Sequence, residues 1–89
     1  MKYNPEKLGE IIELSLNLQK INEALDPSII YHNYDLETLK NYLNSAKNFP
    51  KEILSENKPL EKIVLDSINL IQEAIELHES NIESLTLEN

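Results

Sequence analysis

From Pro59 to about Leu87 the chain runs without a glycine or a further proline, and its apolar residues recur alternately four and three positions apart. Val64, Ile68, Ile71, Ile75, His78, Ile82 and Leu85 form one row, and Leu60, Ile63, Ser67, Leu70, Ala74 and Leu77 run beside it. At about 100° per residue the two rows cover nearly half of a helix circumference. The other half carries Glu61, Asp66, Glu73, Glu76, Glu79 and Glu83. One long helix, apolar on a wide face and acidic on its back, is therefore predicted, and the rest of the chain has to cover its apolar face.

The preceding residues supply the cover in pieces. Asn4-Pro5 is a helix start, because Asn accepts from the first free amides and Pro at the first helical position loses nothing. The helix it opens runs to about Leu25, with Ile11, Leu14, Leu18, Ile21 and Leu25 as the core seam. Leu8, Ile12 and Leu16 make a second ridge about 150° round the same helix. A helix apolar on two sides is either sandwiched between neighbours or shows one side to a partner, and the sandwich is the expectation here. Asp26-Pro27 stops that helix and can cap a single turn holding Ile29 and Ile30. Tyr31 to Asp35 reads as a polar, aromatic connector, and Asp35 as the N-cap of a second helix to about Asn48. Leu36, Leu39, Leu43 and Ala46 form its inner row, with Tyr42 alongside. Phe49-Pro50 ends it, since the residue before a proline is pushed out of the helical region. Pro50 can begin another short turn, burying Ile53 and Leu54, before Asn57-Lys58-Pro59 restarts the chain.

No stretch alternates long enough to be a strand. The predicted fold is all-α: a small antiparallel helical bundle of three main helices, about 5–25, 36–48 and 59–86, with one or two short helical turns in the connectors. With 89 residues there is material for one core, so 1–89 is expected to be a single helical domain. The long helix would reach ~43 Å against ~31 Å and ~20 Å for the other two. Ile82, Leu85 and Leu87 then have little to pack on in a monomer, so that end is expected to fray, bend or pair in a homodimer.

Charge narrows the function. Sixteen acids face eight bases, for a net charge of −8, and every base is a lysine. Without arginine the chain lacks the bidentate fork that suits phosphates and base edges, so direct nucleic-acid binding is not expected. The asymmetry is local as well: residues 1–58 hold nine acids and seven lysines, residues 59–89 seven acids and one lysine, Lys62. Cysteine is absent, which removes disulfides, thiolate metal sites and a cysteine nucleophile. The first residues lack a signal-peptide core and no apolar run approaches a membrane span, so the expected location is the cytoplasm.

Catalytic patterns are missing. There are two histidines, one glycine (Gly9, inside the first helix) and no glycine-rich turn beside a serine. The residues three before His32 and His78 are isoleucines, so the Glu-x-x-His signature of di-iron bundles does not occur. His32 and Asp35 together make half a metal site at most. His78, on the apolar face, is predicted to be a boundary histidine with one nitrogen turned to water or a carbonyl. No enzyme activity, metal or cofactor is expected.

Two features point to protein binding. Four of the five aromatics, Tyr31, Tyr34, Tyr42 and Phe49, lie within nineteen residues. Tyr31 and Tyr34, with Asp35 beside them, are candidate contact residues, because tyrosine offers large rigid area at low entropy cost. The acidic back is the second: Asp66, Glu73, Glu76, Glu79 and Glu83 include like charges three and four apart, which weaken a helix. Helix stability alone would place lysines there. The expected function is a small acidic inhibitor, an immunity protein, antitoxin or phage-type inhibitor, that neutralises a basic toxin or nuclease by direct binding. The alternative is a helical assembly module or secretion-type chaperone, possibly homodimeric, that leaves an apolar groove open for a partner.

Overall fold

Four short polar side chains decide where helices begin. Asn4 Oδ1 accepts from the Lys7 amide at 2.8 Å, Asp26 Oδ1 from Ser28 at 2.9 Å, Asp35 Oδ1 from Thr38 at 2.7 Å, and Asn57 Oδ1 from Leu60 at 3.2 Å. Each satisfies an amide that the helix itself leaves free, a contact typically worth ~1 kcal/mol. The computed structural model describes the backbone of residues 4–88 and the side chains of residues 4–80. Its elements are α1 (Pro5–Ala24), α2 (Pro27–Asn33), α3 (Leu36–Lys47), α4 (Lys51–Glu56) and α5 (Lys58–Glu88). Among the described residues there is no strand, and the all-α expectation holds.

The helix count does not. Five helices stand where three main ones are expected. The connector between α1 and α3 is itself a helix of seven residues, because Pro27 occupies its first position and Asp26 caps it. It absorbs Tyr31, His32 and Asn33, so the polar connector shrinks to Tyr34 and Asp35. The connector after α3 forms α4, six residues long, with no side-chain cap at Pro50 and no buried residue. Ile53 and Leu54, expected to be buried there, are only half-buried.

The core gathers on α5. Its buried residues Val64, Ser67, Ile71, Ala74 and Ile75 meet Ile11, Leu18 and Ile21 of α1, Ile30 of α2, Leu39 and Ala46 of α3, and Phe49. Each of the other four helices touches α5, and α4 touches no other helix than α5 to a comparable extent. Small residues at 67 and 74 leave room for close approach, and Ser67 Oγ uses it to donate to the Leu18 carbonyl of α1 at 2.9 Å. That hydroxyl is wholly buried and wholly satisfied.

Two expectations about α1 are overturned. Its second ridge is not sandwiched: Ile12 and Leu16 are 59 % and 57 % exposed, because α2, α3 and α5 all lie against the opposite side. Leu25 is not in the seam either, since the helix unwinds after Ala24 and turns it into solvent. Ile82, Leu85 and Leu87, on which the fraying or pairing of the long helix was to turn, lie outside the residues whose side chains are described. No helix among the described residues is long and apolar enough to cross a membrane.

Candidate functional site

The junction of α1 and α2 brings one acidic stripe of α5 against exposed leucine. Leu25 ends α1 at φ 60°, ψ −1°, its amide donating to the Asn22 carbonyl at 3.2 Å. This left-handed conformation is uncommon for a residue with a branched side chain and projects Leu25 outward, 79 % exposed. The next residue is Asp26, held in place by capping α2. On α5, Asp66, Leu70, Glu73 and Leu77 recur four, three and four apart and so share a flank. Asp66 and Leu70 share a shallow depression with Leu25, while Glu73, Glu76 and Leu77 share the adjoining one with Asp26 and Pro27. Asp66 thus stands beside Leu25, and Asp26, Glu73 and Glu76 stand beside the 40 % exposed Leu77.

The charge of this surface is only partly compensated. Lys62 reaches Asp66 at 3.1 Å, one turn along α5. Glu73 and Glu76 have no ion pair among the described residues, and no base follows Lys62. Three ion pairs of the described residues, Lys7–Glu10, Lys58–Glu61 and Lys62–Asp66, each stay within one helix. Glu79 is exposed but sits about 120° round α5 from Glu73, on the other flank. Glu83 lies outside the residues with described side chains.

The tyrosines form a separate cluster. Tyr31 is half-buried and its ring lies 4.4 Å from His78, tilted by 51°, with His32 edge-on at 5.0 Å. Tyr34 meets Tyr42 edge-to-face at 6.0 Å. His78 Nε2 stands 2.9 Å from the Tyr34 carbonyl. A carbonyl can only accept, so Nε2 carries the proton and donates, as expected of a boundary histidine. The bond ties α5 to the end of α2. Asp35 is exposed and caps α3. The Thr38 hydroxyl, then the Thr38 amide, and to a lesser degree the His78 charge, hold its carboxyl below the usual carboxylate range, against a small upward push from desolvation. Tyr31, Tyr34 and Asp35 are therefore brought together, but as a latch between α2, α3 and α5 apart from the acidic stripe.

Leu25, Asp26 and Leu77 were not among the contact residues expected from the sequence, which placed Leu25 in the core seam, Asp26 at a helix stop and Leu77 in an apolar row. Asp26-Pro27 directly after Leu25 is the one signal that could have found them, since a cap and a proline force the chain to turn there. Among the described residues no three His, Cys, Asp or Glu come together in a way that could hold a metal ion. No protein-family model, curated protein or solved structure matches this chain.

Proposed function

We propose that this chain is a small protein-binding inhibitor, of the immunity-protein or antitoxin kind, that acts in the cytoplasm on a basic protein such as a nuclease toxin. In this reading the helices make an antiparallel bundle whose acidic flank of α5, beside the α1–α2 junction, is the docking surface. The observation that carries it is the placing of Asp66 beside exposed Leu25, and of Asp26, Glu73 and Glu76 beside exposed Leu77. Carboxylates steer a cationic surface and speed encounter, whereas a leucine that desolvates at the centre slows release. Exposed Ile12 and Leu16 favour the second reading, an assembly module that covers this ridge with a partner or a second copy.

The test captures partners from the native host on the full chain and follows association with the captured protein. A basic protein is expected, whose activity the chain suppresses. Glu73→Gln/Glu76→Gln should slow association markedly at low salt and far less at high salt, where screening already hides the charges. Glu79→Gln removes one charge on the other flank and should slow it much less. Equal rates for wild type and the double variant at low salt would sink the inhibitor reading.

A further inference from the structure

The other flank of α5 carries a surface of opposite character. Between α5, the end of α3 and α4 runs a groove of about 470 Å³. Its floor is core, Phe49 and Val64, and its walls include half-buried Leu54 and Ile68 and the 54 % exposed Leu65. Lys47 and Lys51 stand on its rim, exposed and without an ion pair among the described residues. Facing them, Glu61 is already engaged by Lys58 at 3.5 Å. A chain of net charge −8 thus keeps two ammonium groups, without an ion pair among the described residues, beside an apolar groove. Lys47 suits the C-terminal turn of α3, where a cation offsets the helix dipole. Lys51 opens α4, where the dipole opposes it, so helix stability does not account for its place.

We propose that this groove docks an amphipathic helix of a partner protein, its apolar stripe on Leu54, Leu65 and Ile68 and its flanking Glu or Asp side chains on Lys47 and Lys51. The occupant must be apolar on one side only, because the groove is open to water along its length and Leu65 is not enclosed. A small-molecule site buries most of its ligand, which this one does not. Helix-in-groove recognition needs an apolar trough of this kind, with charges on the rim to set orientation. α4, uncapped and without a buried residue, is the wall that can adjust to the entering helix. The groove shares no lining residue with the depression that holds Glu73 and Glu76, which lie further along α5, so this inference and the inhibitor reading stand or fall separately.

The experiment is amide NMR of the full isotope-labelled chain, titrated at about 0.15 M salt, with three probes. One is a synthetic helical peptide of about 15 residues with leucines three and four apart and flanking glutamates; the second has lysine for each glutamate; the third is dodecanoate. The acidic peptide is expected to shift Lys47, Lys51, Leu54, Leu65 and Ile68 saturably, and the lysine peptide not to. Lys47→Glu/Lys51→Glu should weaken the acidic peptide about tenfold or more. Leu65→Ser, at an exposed position that leaves the fold intact, should weaken it as well. Equal binding of both peptides, shifts centred on Ile12 and Leu16 or on Leu25, or no shift at millimolar peptide would overturn the proposal. So would saturation of these amides by dodecanoate alone, or sedimentation showing that a second copy occupies the groove.

Discussion

Leu25 sits in a backbone conformation that its side chain disfavours, and gains nothing from burial in return. For an L-residue with a β-carbon the left-handed helical region costs roughly 1–2 kcal/mol, whereas glycine at a helix C-terminus adopts it freely. Leu25→Gly should therefore raise stability by about 1 kcal/mol, read as a higher urea midpoint with an unchanged slope. If Leu25 is the apolar centre of the acidic surface, the same change should speed dissociation of the captured partner. Stability and binding then move in opposite directions. A loss of stability in Leu25→Gly would mean that the side chain is packed in solution, and the docking surface would lose its centre.

At the scale of elements, α5 is the helix on which the others depend. Ile71 is fully buried at its middle and Ile21 of α1 almost so. Replacing either by alanine should cost ~2–5 kcal/mol, a large share of what a small domain has. Leu16→Ala, on the exposed ridge of the same helix as Ile21, should cost less than about 1 kcal/mol, since little area leaves water there. Chemical denaturation of the three variants checks the order. A Leu16 loss as large as the Ile71 loss would mean that the ridge is covered in solution, and would shift weight to a self-associating module.

Over the whole molecule, charge works against compactness. The net charge is −8, and Glu73, Glu76 and Glu79 follow one another at three-residue spacing with no base after Lys62. The ion pairs Lys7–Glu10, Lys58–Glu61 and Lys62–Asp66, which oppose this repulsion, are exposed contacts within helices, each worth no more than about 1 kcal/mol. Salt screens both, and an excess of eight acids over bases leaves more repulsion than attraction to be screened. Raising sodium chloride from ~0.01 M to ~0.15 M should therefore raise the Tm of the isolated chain. A falling Tm would show that the lysine–carboxylate pairs dominate and that the acids are better compensated than their spacing implies.

The sequence by itself determined the helices and their inner faces, because both follow from local chemistry. Asn4, Asp26, Asp35 and Asn57 beside proline or an apolar period mark the starts, and the four-three rows that hold Val64, Ser67, Ile71 and Ala74 name the buried side of α5. The acidic back was equally legible, since like charges at helical spacing need no partner to be recognised. Whether a six- or seven-residue connector becomes a helix depends on what it can lean on, and only the packing of α2 and α4 against α5 decided that. The same holds for the surface. Periodicity assigned Leu25 to the seam, and although it sets Glu73 and Glu79 on different flanks it could not say which flank another helix would adjoin. A single left-handed residue turned Leu25 outward, and the lie of α2 along α5 selected one flank of acids over the other, because side-chain neighbours across helices are set by tertiary geometry and not by spacing along the chain.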